Sequence, residues 1–265
     1  MTAYRDHGHK SALINPIALS KPEQLPELQP IQYDLDLNQT VAYHGIIANP
    51  KNHNGTIQEA IQFLQKTYCQ HIGAEFSYLS TEESEWFSEK LETMEEASNE
   101  TKIKIMTELL KSQVLDHFLA AKFSTLKRYG GEGAESMMAF FWQLLKSCGS
   151  YGVTDIVIGM PHRGRLNLLT GMFQVPPPLV YRKIRGLLEF DEGAEATGDV
   201  LSHLTCSVDI GPVHVTMLPN PSHLEAVNPA SMGKTRAKQM SIKEGDYGDG
   251  STQLGTRVVN VQVMW

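Results

Sequence analysis

The sequence has 265 residues, of which 41% are hydrophobic and 20% charged, and its 23 Lys and Arg against 30 Asp and Glu give a net charge of −7. This apolar content can fill a sizeable core and excludes a wholly disordered chain. The acidic balance disfavours nucleic acid or an anionic membrane as the main partner. Three scattered cysteines, and no apolar run near the roughly 18 residues of a membrane helix, indicate a soluble protein of a reducing compartment.

The first part of the chain is predicted to be an extended arm followed by helices. Proline removes a backbone donor and biases the preceding residue to extended geometry, and the first 55 residues contain Pro16, Pro22, Pro26, Pro30 and Pro50. Apolar residues then recur at helical spacing, and Thr56 is a plausible cap for the first helix. The predicted helices cover 56–72, 80–94 and 101–122. We expect a first domain, 1–121, that consists of this arm and a helical region.

The second part, 122–265, has the pattern of an α/β domain. A glycine-rich turn, Tyr129–Gly133, leads into an apolar helix at 135–146. A short buried strand follows at 155–160, then a glycine-containing turn and a helix from about Leu166, which is the βα unit of a parallel sheet. Two further strands are predicted at 213–218 and 257–263, with a polar loop at 244–255 before the last one.

The turn after the first predicted strand carries His162, Arg163, Gly164 and Arg165. Ligand groups gather beyond the carboxyl ends of strands in open α/β sheets, and helix N-termini attract anions. A planar guanidinium fork suits phosphate, and glycine lets the backbone approach a ligand closely. The functional interpretation is therefore an anion or phosphate site. The alternative, which the spacing leaves open, is that both arginines are surface charges and His162 is a hydrogen-bonded turn residue.

Two other segments are ambiguous on their own. His203 ends a small-polar loop, and a single histidine is more often structural than functional. Ser222 and His223 stand in a proline-fixed turn after the second strand, where they either face the same cleft or only form a rigid turn. They are not a hydrolase arrangement, because no G-x-S-x-G elbow surrounds the serine. The turn at 129–133 is not a P-loop, because it lacks a G-K-[ST] ending.

Four segments together resemble one known family. They are 122–135 (KFSTLKRYGGEGAE), 159–167 (GMPHRGRLN), 198–200 with His203, and 220–226 (NPSHLEA). On these segments the chain resembles the thiamine-dependent, decarboxylating component of the 2-oxoglutarate dehydrogenase complex, and within that family the paralogue associated with 2-oxoadipate. The likeness runs from about His7 to Gln262. It implies that 122–265 is the first part of a thiamine-diphosphate-binding, parallel-sheet domain.

The resemblance also implies roles for individual residues. Arg163, Ser222 and Leu224 match cofactor-binding positions, and His162 and His203 match the catalytic histidines that meet the 2-oxo acid. These types suit a dianionic substrate, because imidazoles can hold a carboxylate and stabilise a developing alkoxide. The implied partners are the 2-oxo acid, a lipoyl-bearing acyltransferase and a second copy of the chain in a homodimer, with no nucleic acid and no membrane. The implied location is the mitochondrial matrix.

The end of the sequence departs from the family pattern. In the family the third strand continues into a His-Gly-Asp-Ala motif whose Asp binds the Mg²⁺ that bridges the diphosphate, whereas here Gln262-Val263 is followed by Met264-Trp265. No metal ligand is therefore assigned, no mitochondrial presequence is recognised, and a truncated chain is expected. Two alternatives stay open: an inactive truncated isoform acting at most as an interaction fragment, and a nucleotide-phosphate module. The choice between 2-oxoglutarate and 2-oxoadipate, which differ by one methylene, is also open.

Overall fold

The computed structural model describes residues 1–20, 22, 24–48, 54–188, 200–219, 224–242 and 257–263. The chain forms two compact units, Met1–Glu96 and Ala97–Trp265. The sequence placed the boundary after residue 121 instead. Within the described ranges, no helix is long and apolar enough to cross a bilayer. The predicted loop at 244–255 lies outside the described residues.

The first unit combines short helices with a small ladder of two strands. Its elements are α1 (Thr2–His7), β1 (Thr40–Ala42), β2 (Asn54–Thr56), α2 (Ile57–Tyr68) and α3 (Thr81–Glu92), and β1 and β2 pair antiparallel. The helices predicted at 56–72 and 80–94 are present and end somewhat earlier. The predicted arm is not uniformly extended, because it contains α1 and several 3₁₀ turns, two of which begin at proline (Pro26–Leu28 and Pro30–Tyr33).

Capping boxes explain where α2 and α3 begin. Thr56 accepts a hydrogen bond from the Glu59 amide at 3.2 Å, and the Glu59 carboxylate accepts one from the Thr56 amide at 2.8 Å. Ser80 and Glu83 make the same reciprocal pair at 3.4 and 3.0 Å. Each box satisfies two backbone donors that a helix start would otherwise leave without partners. The cap predicted at Thr56 is therefore confirmed.

A buried carboxylate organises the interior of the first unit. The Glu92 side chain is fully buried and forms a salt bridge of 2.7 Å with Arg5. It also accepts hydrogen bonds from the Tyr68 hydroxyl at 2.7 Å and from the Ala48 amide at 2.8 Å. Burial and this carboxylate raise the pKa of Tyr68. Glu92 thus joins α3 to α1, to α2 and to the segment before β2.

The second unit begins with a long helix. Its helices are α4 (Asn99–Lys122), α5 (Ser136–Ser150), the short α6 (Arg165–Asn167), α7 (Pro177–Ile184) and α8 (Val227–Ser241), and α6 continues as a π-helical turn over Leu168–Met172. Helix α4 packs against α5 and α6. Its residue Leu119 is fully buried in the same apolar core as Phe141 of α5 and Phe173. These contacts account for the position of α4 in the second unit, not the first.

The sheet of the second unit has four strands in the order β4-β5-β3-β6. They are β3 (Asp155–Gly159), β4 (Cys206–Ile210), β5 (Val213–Met217) and β6 (Val258–Gln262). Strand β3 runs parallel to β5 and to β6, as the sequence predicted. Strand β4 was not predicted and pairs antiparallel with β5 through a two-residue loop, Gly211-Pro212. The α/β class is confirmed, but the sheet is mixed.

The centre of this unit lies around β3. Ile156, Val157 and Ile158 have no exposed surface, which is typical of a strand that is covered on both faces. Helix α8 packs on β3 and β6. Gly159 permits this approach, because an added Cβ would lie 3.0 Å from the Cβ of Ser231 and 3.4 Å from Val227 Cγ1. Helix α8 therefore begins close to the carboxyl end of β3.

Candidate active site

The candidate residues lie at the carboxyl edge of the parallel strands. In the parallel pairs, Ile158 is opposite Met217 of β5 and Gly159 is opposite Gln262 of β6, so the three strands end side by side. The turn with His162, Arg163 and Gly164 follows β3 directly. This is the place where α/β sheets bind ligands.

Arg165 is buried at this edge and is bound to backbone carbonyls. Its side chain has no exposed surface and donates to Leu204 O at 2.8 Å, to Met160 O at 3.2 Å and to Leu218 O. Burial lowers the pKa of Arg165 to about 10. Among the described residues, no carboxylate lies within ion-pair distance of it. Arg165 is thus neither a surface charge nor a ligand-facing cation, the two roles considered from the sequence.

The three carbonyls that Arg165 contacts bring separate segments together. Met160 precedes the turn with His162, Leu204 follows His203, and Leu218 leads toward the turn that contains Ser222. One guanidinium therefore holds the chain segments of both candidate histidines at the same edge of the sheet. Donors that are fixed on three backbone acceptors leave this group little freedom to rearrange.

Arg163 has the opposite environment. It is exposed, and its Nη1 donates to the backbone carbonyl of Glu132 at 2.9 Å. Within the described ranges, no acidic side chain forms an ion pair with Arg163. Its positive charge is therefore oriented by a neutral acceptor and is not neutralised, which suits the binding of an anion.

His162 is half-buried beside an aromatic ring. Its imidazole centroid lies 5.7 Å from that of Tyr129, with the planes tilted by 59°. The ammonium group of Lys127 lies 5.3 Å from the Tyr129 ring centroid. Tyr129 itself holds a φ of +52°, which is unusual for a residue other than glycine. The segment before the glycines is thus part of the surroundings of His162.

The glycine-rich turn and the turn after β3 are hydrogen-bonded to each other. The Gly164 amide donates to Gly130 O at 2.9 Å, and Gly164 adopts a left-handed φ of +70°. An added Cβ at Gly164 would lie 3.6 Å from the Gly131 Cα and 2.5 Å from Met137 Cε. Two segments on which the resemblance rests therefore form one structure, a contact that the sequence did not predict.

A buried polar cluster behind the glycine-rich turn was also missed. Asp116 of α4 accepts a hydrogen bond from the Gly131 amide at 2.9 Å and one from Asn167 Nδ2 at 3.1 Å. Asn167 Nδ2 also lies 2.8 Å from Ser112 Oγ. Burial raises the pKa of the Asp116 carboxyl, the nearby charges of Glu132 and Glu135 raise it further, and its hydrogen bonds lower it only in part. Sequence reasoning treated α4 as a helix without chemistry.

The structure describes the other candidate residues, His203, Leu224 and Ser222, less completely. His203 ends a 3₁₀ turn, Leu201–His203, and is half-buried. Leu224 is 41% exposed and stands just before the start of α8. Ser222 lies outside the described residues. In the described part of the chain, no three His, Cys, Asp or Glu side chains come together as a metal site.

A separate groove lies at the other end of the sheet. It has a volume of about 510 Å³ and is lined by Trp142, several lysines and the Gly211-Pro212 loop between β4 and β5. That loop precedes β5, so it lies at the amino end of the parallel strands. The groove is therefore distinct from the edge that carries His162 and Arg163.

Comparison with known proteins identifies relatives along the whole chain. No protein-family model matches it. The 2-oxoadipate dehydrogenase complex component E1 of Xenopus laevis is 52% identical over 274 aligned positions, which cover 99% of this chain and 29% of the relative. The human protein of the same name is 50% identical, with coverage of 99% and 30%. The 2-oxoglutarate dehydrogenase E1 component of Brucella anthropi is 34% identical over 96% of this chain and 26% of its own length.

These relatives confirm the resemblance seen in the motifs. The chain is homologous, over nearly its entire length, to part of the E1 components of 2-oxo acid dehydrogenase complexes. It spans only 29% and 30% of the length of the Xenopus and human relatives.

Proposed function

We propose that this chain, a homologue of the E1 components of 2-oxo acid dehydrogenase complexes, contributes the diphosphate-facing part of a thiamine-diphosphate-dependent decarboxylase site. The observation that carries the proposal is Arg163, an exposed guanidinium oriented by Glu132 O and unpaired with any carboxylate of the described residues. It stands in the turn after β3, two residues before Arg165, whose buried guanidinium binds three backbone carbonyls at the same edge of the sheet. A diphosphate is the kind of dianionic group that such a fork binds.

The side chains present fit thiamine diphosphate in charge and polarity. Arg163 would hold diphosphate oxygens, and the exposed apolar side chain of Leu224 would contact an uncharged part of the cofactor. Ser222 is proposed as a further contact on the basis of the resemblance alone. When it is bound, thiamine diphosphate serves as the electron sink for the carbanion that decarboxylation leaves. Mg²⁺ is proposed as the counterion that would offset the negative charge of the diphosphate, and none of the described residues is assigned to it.

The two histidines are proposed to act on the 2-oxo acid. His162 is half-buried beside Tyr129, so that it keeps access to solvent while its ring is restrained. A protonated imidazole there would attract a substrate carboxylate and would donate a proton to the oxygen that becomes an alkoxide. His203 would assist from the loop whose next residue, Leu204, is bound by Arg165. Arg165 would hold the loops that carry His162 and His203 next to each other.

The substrate and partner are proposed from the relatives. The sequences at 50% and 52% identity are named for 2-oxoadipate and the one at 34% for 2-oxoglutarate, so 2-oxoadipate is the first substrate to test. The acyl fragment would then pass to the lipoyl group of an acyltransferase, within a homodimeric E1 in the mitochondrial matrix. One methylene separates the two substrates and is worth about 1–3 kcal/mol in a pocket, so both are expected to react at different rates.

Decarboxylation assays test the proposal. The complete polypeptide that carries this sequence is supplied with 2-oxoadipate or 2-oxoglutarate labelled at C1, the carboxyl group next to the ketone. The assay also contains Mg²⁺ and an artificial electron acceptor, and is run with and without thiamine diphosphate. Labelled carbon dioxide released only with the cofactor supports the proposal. Absence of release from both acids, or release that does not depend on the cofactor, contradicts it. The same assay on the 265-residue chain alone shows whether this part has turnover by itself.

A further inference from the structure

Asp116 of α4 contacts the glycine-rich turn that adjoins the candidate site. It is 2% exposed, and its Oδ2 accepts the Gly131 amide at 2.9 Å. Its Oδ1 lies 2.6 Å from the point where a Cβ on Gly130 would stand, which shows how closely the carboxylate and the backbone approach. The acceptor of the Gly131 amide is thus a side chain of the preceding helix, 15 residues earlier in the chain, not a neighbour in the turn.

Asn167 holds the Asp116 carboxylate in one orientation and is itself bound to Ser112. Asn167 is 1% exposed, and its Nδ2 donates to Asp116 Oδ1 at 3.1 Å and to Ser112 O at 3.2 Å. No cation pairs with Asp116 among the described residues. Burial of these polar side chains costs more desolvation free energy than burial of apolar side chains of similar size would, so packing alone does not account for the cluster. What it supplies is a fixed position for one backbone amide.

That amide lies between the two carbonyls that hold the candidate site. Gly130 O accepts the Gly164 amide at 2.9 Å, and Glu132 O accepts Arg163 Nη1 at 2.9 Å. Gly131, whose amide Asp116 fixes, stands between these two residues in the chain. A displacement of Gly131 therefore moves both acceptors, and with them the direction of the Arg163 guanidinium.

We infer that Asp116 is a positioning residue of the candidate site and acts through the glycine-rich turn on Arg163 and Gly164. The role in cofactor binding rests on the proposed function, whereas the coupling between Asp116 and the two turns does not. Helix α4, which the sequence analysis treated as a helix without chemistry, thus sets the direction of the cation that would receive the diphosphate.

Hydrogen exchange tests the coupling without any cofactor. We expect Asp116→Ala to accelerate exchange of the Gly131 and Gly164 amides at least tenfold in the 265-residue chain. The matched control is Glu108→Ala, which removes another 2%-exposed carboxylate of α4 whose partners are Lys104 and Lys111. If Asp116→Ala leaves the Gly164 amide unchanged, or Glu108→Ala accelerates it equally, the coupling does not exist.

A double-mutant cycle tests the role in binding, in the complete polypeptide with Mg²⁺. We expect Asp116→Ala to raise the Kd for thiamine diphosphate about tenfold in the wild-type background and to have no further effect in the Arg163→Ala background, because residues that act through one another are not additive. Equal effects in both backgrounds, or no effect in the wild type, overturn the positioning role.

The outcomes also separate this inference from the proposed function. If the wild type binds no thiamine diphosphate, the proposed function fails and with it the role in binding, while the exchange experiment still decides the coupling. If Asp116→Ala does not fold, Asp116→Asn replaces it. In Asp116→Asn the amide oxygen can still accept the Gly131 amide, so this variant serves only if its Gly131 amide exchanges faster; otherwise Asp116→Leu, which has no acceptor for the Gly131 amide, is measured, and the same accelerated exchange is expected.

Discussion

The amide of Gly164 and the carbonyl of Gly130 are joined by a hydrogen bond of 2.9 Å. This bond connects the turn after β3 with the glycine-rich turn that follows α4. Gly164 has a left-handed φ of +70°, a conformation that glycine adopts without steric cost. The candidate site is therefore a pair of mutually bound turns and not a single loop beyond one strand.

We expect Gly164→Ala to lower the free energy of unfolding by more than the about 1–2 kcal/mol that left-handed backbone costs an alanine. The additional loss arises because the new Cβ would lie 2.5 Å from Met137 Cε. The control is Gly152→Ala, at a φ of +76° with no atom within 4 Å of the added Cβ. Urea unfolding of both variants measures the difference. Equal losses would show that the contact between the turns adds nothing.

Replacement of Arg165 by Met is expected to destabilise the second unit by about 3 kcal/mol or more, because buried carbonyls without donors cost about 1–3 kcal/mol each. The affected acceptors are the carbonyls of Met160, Leu204 and Leu218. The control is Arg182→Met, since Arg182 is exposed and binds one carbonyl, Leu188 O, at 2.8 Å. Hydrogen exchange of peptides from residues 97–265 measures both losses. A loss no larger than that of the control would show that Arg165 does not hold these three segments together.

In the first unit, Glu92→Gln is expected to cost about 3–5 kcal/mol, the usual result when one partner of a buried ion pair is removed. An amide cannot pair with the Arg5 guanidinium as a carboxylate does, and it keeps only one acceptor for Tyr68 and Ala48. The loss is read from hydrogen exchange of peptides from residues 1–96. Glu96→Gln, at an ion pair whose side chains are 76% and 80% exposed, should produce no measurable change.

Two aspartates of the second unit should respond to pH in opposite directions. Burial raises the pKa of Asp155, but hydrogen bonds from Lys238 at 2.5 Å and Thr154 at 2.9 Å, with the nearby charges of Lys238 and His214, bring it below the ordinary 3.8. Its stabilisation is therefore present above pH 3.8 and is lost as the pH falls through the lower, folded value. The stability advantage of the wild type over Asp155→Asn should shrink on acidification below 3.8.

The pKa of Asp116, in contrast, is raised above 3.8, chiefly by burial and also by Glu132 and Glu135. A group of this kind contributes stability that is present below 3.8 and is lost as the pH rises through its folded pKa. The difference between wild type and Asp116→Asn should therefore be greater in mildly acid solution than at neutral pH. Urea unfolding across this range checks both aspartates, and the same sign for both would contradict the electrostatic description.

Local signals accounted for most of the regular structure. Thr56 with Glu59 marks the start of α2, and the apolar run around Ile156 to Ile158 marks a strand that is buried on both faces. Strand β4 was missed, although Cys206–Ile210 alternates buried and more exposed residues before a Gly-Pro loop. Its signal was available, because alternation before a two-residue glycine loop is typical of a hairpin.

The candidate site was predictable only in its location. Arg163 and Arg165 flank Gly164 and are indistinguishable in the sequence, yet one is exposed and the other has no exposed surface. The difference arises from the left-handed residue between them, which redirects the chain. Asp116 was missed for a different reason, since its partner is a backbone amide of the following turn and backbone contacts leave no pattern in side-chain spacing.

The role of Arg163 in binding the diphosphate is tested by the affinity of the complete polypeptide for thiamine diphosphate in the presence of Mg²⁺, measured by calorimetry for the wild type, Arg163→Ala and Arg182→Ala. Each variant removes one exposed arginine that donates to a backbone carbonyl, so the two variants change the net charge equally. We expect Arg163→Ala to raise the Kd at least tenfold, the value of a charge-assisted hydrogen bond, and Arg182→Ala to leave it unchanged. Equal affinities of the two variants would contradict this role.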